Sequence, residues 1–580
     1  MRSSHYHDNG AWSLVSVTAD HLQVYIINTG NGGEMRLNYD KEKNGFGYPP
    51  ETLWKQEVES DRGIVASEYP LATDVGKIII ESGGNAIDAA ISMAFVLGVT
   101  EPYMSGVGGL GLGIVSINGK STVINGQTVS PRSLEISEFA IAGSTGDGFF
   151  GWPLVRDNNN QMGPKSVTVP TEIAVLGEMH RIGANLEWRD LIAPSIKFAE
   201  NGFECDWITS LSLLAERKKL DAYESASNIF FPGGVTPFPD LIYDRGIRIV
   251  QKDLAGTLRK IAEDGPESLY SGDLARKLSS RVKEDGGYLN MIDLEEYRVN
   301  VSEPESLLSG KYNVLTTSGF NGGPTIRDIV GSMEKHHKGD PPFTDIADES
   351  SEWIRLGTAA LTRRKANMGH GENTRSEINP EDKRLGISGF SSGRMDESTT
   401  YLAVVHEEIG VSLNMTLLSR FGSGYVVPGL GVLMNNGCLW FDPARGNPNS
   451  IGAGVPPLEN IAPVMLTSGG KLSGIVGSAG GRRIMPTNSQ IIFNLTRLGY
   501  DARGAVLRPR VDFSAEPVLI DRRLDISTLQ KIRRISGARV EYSELSLGRH
   551  SFASPIALWR MDGNWGCGID PATVSSAKAT

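Results

Sequence analysis

The chain has 580 residues, of which 39% are hydrophobic and 22% charged, the balance of a globular protein with room for several domains. A net charge of −11 offers nothing to phosphate backbones or anionic lipid, so nucleic acid and membrane surfaces are excluded as expected partners. The three cysteines, Cys205, Cys438 and Cys567, are scattered, show no metal-ligand spacing and are odd in number, which argues against a disulfide framework.

In chain order, Met1-Arg2-Ser3-Ser4 is followed by no apolar run of the signal-peptide kind, and a cytoplasmic location is expected. Residues 1–60 read as a polar extension with Trp12 and Trp54 as anchors. Asn85 is an expected N-cap for a helix through Ala86, Ile87, Ala90, Ala94 and Leu97. The stretch Ala86 to Val99 is interrupted by Asp88 and Ser92 and is too short to span a bilayer. A glycine-dense turn over 105–113 then leads to strands at 114–117 and 122–125. Residues 170–300 read as mainly helical, with one-sided apolar faces at 253–263 and 273–283. Residues 335–398 are polar, and 388–393 reads as a mobile loop. Strands return at 402–405 and 411–415 as a hairpin, then at 461–466 and 474–476, before a helix over 486–498. Strands in both halves, with helices around them, predict one layered α/β body built from both parts.

Some familiar patterns fail on context. Gly106-x-Gly108-x-x-Gly111 has the spacing of a dinucleotide loop, but a helix precedes it and a strand follows, the reverse of what such a loop needs. Gly389-Phe390-Ser391-Ser392-Gly393 has the spacing of a nucleophile elbow without the flanking strand and helix. His336-His337 has no carboxylate or cysteine at ligand spacing and reads as a solvated loop, so no metal is expected.

The combination that carries chemistry is Glu397-Ser398-Thr399-Thr400-Tyr401 opening a strand, followed later by Gly477-Ser478-Ala479-Gly480-Gly481-Arg482-Arg483. A hydroxyl nucleophile and a glycine pair able to aim bare N–H groups at an oxyanion are the minimum for acyl transfer. Either motif alone is weak; their order is specific.

With these, several blocks resemble the gamma-glutamyltranspeptidase family: Val65 to Thr73, Glu81 to Ala90, Glu101 to Gly109, Gln251 to Ala255, Phe421 to Gly424, Asn435-Asn436 and Gly477 to Ile484. The resemblance implies an α+β fold, the four-layer αββα sandwich of N-terminal-nucleophile hydrolases. It also implies a proenzyme cut between Ser398 and Thr399, so that a 1–60 extension precedes a 61–398 part before the cut and a 399–580 part after it. Those two parts would form a heterodimer of self-cleaved fragments. Thr399 would be the nucleophile, its new α-amino group the base, Thr416 a hydrogen-bond partner of its hydroxyl, and Gly480 and Gly481 the oxyanion hole. No cofactor is implied.

The family's glutamyl pocket is altered. Gln127 stands where its carboxylate-binding Arg would fall, Leu439 and Trp440 where its acidic pair would, Glu459 and Asn460 in place of a Ser pair, and Leu418 in place of an Asn. Arg420 and Arg482 are candidate anion contacts. Tyr401 replaces the His that commonly follows the Thr pair. The expectation is an autoprocessed hydrolase of a small amide with a non-standard acyl group. A gamma-glutamyltransferase with a rebuilt clamp and a non-catalytic binding module are the alternatives.

Overall fold

The computed structural model describes residues 57–142, 152–238, 247–336, 343, 345–371, 397–543 and 552–580, with the backbone of four earlier strands. Those four, Arg2–Tyr6, Trp12–Val17, Leu22–Asn28 and Gly33–Asn38, pair in sequence order as an antiparallel meander. The extension thus carries strands, which its sequence reading did not anticipate. Runs such as Leu22-Gln23-Val24-Tyr25-Ile26-Ile27 are rich in β-branched and aromatic residues and favour strands. Trp12 opens the second strand, and Trp54 lies outside the described residues.

The body is built on two seven-stranded sheets. The first runs Asn300–Ser302, Lys120–Asn125, Leu110–Ile117, Ile409–Ser419, Glu397–His406, Gly63–Ser67, Ser576–Ala579. The second runs Glu305–Ser309, Tyr312–Thr316, Val464–Ser468, Lys471–Ala479, Ser554–Met561, Asn564–Ile569, Glu59–Ser60. Every pairing within them is antiparallel.

Strand alternation sorts the side chains. Leu402, Val404, Val411, Leu413 and Met415 face a helical layer that includes Pro70–Glu81, Ala86–Thr100, Glu172–Gly183, Trp188–Asn201 and Lys252–Asp264. Tyr401, Ala403 and Val405 share a core with the second sheet and with the helices Gly323–His336, Ile346–Asn367, Ile484–Thr496 and Ile526–Ser536. The result is helix, sheet, sheet, helix, as the layered reading expected.

The helix Ala86–Thr100 is buried almost all round, which its apolar sequence permits. It starts on a reciprocal cap: Asn85 Oδ1 accepts from Ile87 N (2.8 Å) and Asp88 N (3.2 Å), and Asp88 Oδ2 accepts from Asn85 N (2.7 Å). Two expectations change. Gly111 and Gly113 belong to the strand Leu110–Ile117 rather than to a turn, and a Cβ on Gly111 would lie 3.3 Å from Val175. The polar stretch after 335 contains the 22-residue helix Ile346–Asn367, capped by Asp345. His336 ends the helix before it, with Nδ1 2.8 Å from Ser332 O; His337 and the 388–393 loop lie outside the described residues.

Candidate active site

Two long strands, Glu397–His406 and Ile409–Ser419, turn back on each other through Glu407-Glu408. Their register slips once. Ser398 lies opposite Leu418, but Thr400 lies opposite Met415, so Thr416 and Leu417 together oppose Thr399. This is a β-bulge, a device that re-aims side chains. Thr399 is 2% exposed.

The bulge gathers hydroxyls on one carbonyl. Thr399 Oγ1 donates to Ser398 O at 2.8 Å, and Thr416 Oγ1 donates to the same oxygen. Thr416 Oγ1 in turn accepts the Leu418 N–H at 2.8 Å, which commits its lone pair and turns its proton toward Ser398. Ser398 Oγ donates to Tyr103 O, so the residue before Thr399 is held as well. Thr416 thus polarises the Ser398 carbonyl, and the Thr399 hydroxyl lies beside that carbonyl on the next residue.

The glycine pair ends the strand Lys471–Ala479 of the second sheet. Gly480 has φ 138° and Gly481 φ 54°, values a side chain would strain. A Cβ on Gly480 would also come within 2.8 Å of Ala553 Cα. The turn Gly481–Arg483 packs against the strand that carries Thr399. Asn414 ties the two sheets there: its Nδ2 donates to Ser478 O (3.0 Å) and to Thr400 O (3.5 Å). Tyr401 is fully buried between the sheets, where its ring lies so close to Gly477 that a Cβ there would be 2.2 Å away. Its hydroxyl is 2.7 Å from Ser412 Oγ.

Beside the bulge the wall is apolar. Leu418, Leu439, Trp440 and Leu110 form one buried cluster, with Trp152 packed against it. Leu418 holds φ 84°, an uncommon conformation for a branched residue and the kind of strain that collects at functional sites. Leu439 and Trp440 reach this wall through the short helical turn Gly437–Trp440, which follows Asn435-Asn436. Asn435 fixes that turn: its Oδ1 accepts from Gly437 N (2.9 Å) and Thr168 N (3.0 Å).

A second group forms around Gln127. Its Nε2 donates to Pro457 O at 2.9 Å, and the next residue's N–H, Thr128 N, donates to Glu459 Oε1 at 2.9 Å. Arg364 enters from the helix Ile346–Asn367 and donates to Glu459 O (2.5 Å) and Asn460 Oδ1 (3.2 Å). Burial pushes the Glu459 carboxyl up to about 8, against the lowering effects of Thr128, Gln127 and Arg364. Burial also pulls the Arg364 guanidinium down to about 9.

The structure thus brings Thr399, Thr416, Leu418, Leu439 and Trp440 together, and sets Gln127, Glu459 and Asn460 in a second cluster. Arg420 is half-buried, and its carbonyl accepts from Lys219 Nζ. Arg482 is buried, in the field of Lys365, whose ammonium lies 5.4 Å above the Trp152 ring and is lowered by burial.

Sequence reading missed Glu101, Asn414, Arg364 and Lys365. Glu101 alone carried a signal, a carboxylate closing a largely apolar helix. Its Oε2 accepts from Thr400 Oγ1 at 2.8 Å. Among the described residues, no group of three or more His, Cys, Asp and Glu side chains could hold a metal ion, and no helix is long and apolar enough to cross a membrane.

Comparison with known proteins gives a consistent picture. The family model described as gamma-glutamyltranspeptidase matches residues 72–354 and 334–579. The Acylase ACY 1 proenzyme of Pseudomonas sp. (strain V22) is 28% identical over 88% of this chain and 94% of its own length. The glutathione hydrolase proenzyme of Bacillus subtilis (strain 168) is 29% identical over 80% and 83%. A crystal structure of cephalosporin acylase from Bacillus halodurans superposes with a TM-score of 0.78 at 25% identity, over 92% of this chain and 98% of that one.

Proposed function

From the premise that the chain belongs to the gamma-glutamyltranspeptidase family, we propose an autoprocessed amide hydrolase that works through an acyl ester on Thr399. The observation that carries this reading is the pair of hydroxyls, Thr399 and Thr416, on the one carbonyl of Ser398.

The self-cleavage would run as follows. Thr399 Oγ1 attacks the Ser398 carbonyl carbon, and its proton passes to the departing amide nitrogen. The C–N bond breaks, leaving an ester at Thr399 Oγ1 and a free α-amino group. Water then hydrolyses that ester to the Ser398 carboxylate and the free hydroxyl. Thr416 stabilises the developing oxyanion by the hydrogen bond it already makes.

The mature reaction reuses these parts. The new α-amino group has an ordinary pKa of about 8 and can take the Thr399 proton near neutral pH. Thr399 Oγ1 attacks the substrate amide, and the Gly480 and Gly481 N–H groups receive the oxyanion. The amine returns the proton to the leaving nitrogen, and water releases the acid. The cut at Ser398–Thr399 gives two fragments, one ending at Ser398 that contains the 61–398 part and one of 399–580.

Leu418, Leu439, Trp440 and Trp152 suit an acyl group with an apolar body. Lys365 over the Trp152 ring, with Asp442 and Arg482 in its field, suits a terminal carboxylate, as in the monoamide of a dicarboxylic acid. Two relatives named as acylases support this reading. A relative named as a glutathione hydrolase keeps the gamma-glutamyl reading as the second.

The test begins with intact mass and N-terminal sequencing of purified protein beside Thr399→Ala. A new N-terminus at Thr399, absent from the variant, is expected. Glutaryl and γ-glutamyl p-nitroanilides then compete. Preference for glutaryl supports the acylase reading, and a γ-glutamyl preference with a KM in the usual range of roughly micromolar to millimolar overturns it. A chain that stays intact in both samples overturns autoprocessing and moves the reading to a binding module.

A further inference from the structure

We propose that Glu101 is a positioning residue for the nucleophile: it holds Thr400, and Thr400 holds the chain end on which Thr399 sits after cleavage. The inference rests on the proposed cut at Ser398–Thr399.

The ladder shows why an anchor matters. Before the bulge, Glu397 pairs with Ser419 and Ser398 with Leu418; after it, the first paired residue is Thr400, opposite Met415. Once the bond is cut, the two earlier pairs belong to the other fragment. Thr399 then becomes a chain terminus standing in a bulge, and chain termini fray unless tied down. Thr400 is the first residue able to tie it.

Thr400 is held on two sides. Its carbonyl accepts from Asn414 Nδ2 at 3.5 Å, toward the second sheet. Its side chain points to the opposite face from Thr399, by strand alternation, and there Oγ1 donates to Glu101 Oε2 at 2.8 Å. The other oxygen of Glu101 accepts from Tyr103 OH at 3.2 Å. Both carboxyl oxygens are therefore engaged and the group has one orientation. Its backbone is fixed too, since Glu101 caps the helix Ala86–Thr100 with its N–H on Leu97 O at 2.7 Å.

The surroundings are acidic and apolar. Glu68 approaches from the strand Gly63–Ser67 side, with Oε2 accepting from Ser554 Oγ (2.7 Å) and Ser575 Oγ (2.9 Å). Asp206 approaches from the N-cap of Trp207–Ala215; Tyr69 and Tyr103 lie in the same field, and Cys205 and Glu204 act on Tyr69. Glu101 is 2% exposed, and burial, with the Glu68 charge second, pushes its carboxyl up to about 8. Burial thus favours the uncharged carboxyl, against the lowering effect of its bonds to Thr400 and Tyr103, and less negative charge stands beside the new α-amine. A carboxylate there would hold that amine protonated and unable to act as base.

The test uses the full chain and three variants: Glu101→Gln, Glu101→Ala and Thr400→Val. The readouts are the rate of self-cleavage by N-terminal sequencing, and kcat and KM with the better of the two anilides. Glu101→Ala and Thr400→Val are each expected to slow cleavage and kcat about tenfold or more, with KM changed less than about threefold. Glu101→Gln is expected to keep most of kcat and to remove the fall in rate above about pH 8. Thr400→Val conserves shape, so it deletes the same hydrogen bond even if Glu101→Ala fails to fold. Wild-type kcat in Thr400→Val, or an alkaline limb unchanged in Glu101→Gln, overturns the proposal while leaving Thr399 chemistry intact. A wild-type chain that never cuts defeats the functional reading instead.

Discussion

The two walls that meet at Thr399 are built on different principles. One is a hydrogen-bonded wall: Thr399, Thr416, Ser398 and Asn414 are all buried, and each has a named polar partner. The other is a packed wall of Leu110, Leu418, Leu439 and Trp440, which makes contact by shape alone. Polar geometry of the first kind is intolerant, because a lost partner leaves a buried group unsatisfied. An apolar wall of the second kind can be resized at modest cost. On the proposed function, the first wall would carry the chemistry and the second the choice of substrate.

The most severe way to break this division is Thr399→Ala. It should abolish self-cleavage outright and lower amidase activity by roughly a thousandfold or more, read by intact mass and anilide release. Thr416→Val removes a donor from the Ser398 carbonyl without changing shape. Cleavage should slow by roughly a hundredfold, the usual loss for one oxyanion donor, followed by gel densitometry over time.

A milder effect concerns pH. Glu459 and Glu101 both hold their protons up to about 8 in the fold, against 4.5 ordinarily. The unfolded chain releases those protons first. Their contribution is therefore full below about pH 4.5, is lost as pH rises from there, and is gone above about pH 8. Glu459→Gln should flatten this slope by roughly 1–3 kcal/mol between pH 5 and 8, measured by denaturant unfolding of the uncut Thr399→Ala background. The smallest effect is expected at Leu418. Asn tolerates positive φ, so Leu418→Asn should change stability by only about 1 kcal/mol, because relieved strain offsets lost packing. The same change at Leu417, also buried but without a positive φ, should cost about 2–4 kcal/mol.

Much of the hydrogen-bonded wall was legible. The hairpin showed in the strand-like runs 402–405 and 411–415 joined by a short polar turn, and the Asn85 cap showed because capping is a local rule. The layered arrangement followed from where strands and helices fall. The bulge was not legible, because register is a property of two strands and neither sequence states it alone. The helix Ile346–Asn367 was hidden for another reason. Its buried face carries Glu349, Ser350, Ser351, Gly357 and Arg364 among the apolar residues. Glu349 is tolerated inside because Arg508, far along the chain, meets both its oxygens at 2.6 Å and Trp353 Nε1 donates at 3.1 Å. Satisfaction of a buried polar group by a distant partner leaves no periodic trace. The role of Glu101 was obscured in the same way, since Thr400 is its neighbour in space only.

The strand order of the first sheet has a thermodynamic consequence. Ile409–Ser419 and Glu397–His406 sit between Leu110–Ile117 on one side and Gly63–Ser67 on the other, with Ser576–Ala579 outermost. Chain from before and after Ser398 thus alternates across a single sheet. A cut there changes the molecularity of folding without changing a ladder pair beyond it. Melting would become a dissociation as well as an unfolding, so the midpoint of the cut protein should fall on dilution. The midpoint of the uncut Thr399→Ala chain should be independent of concentration.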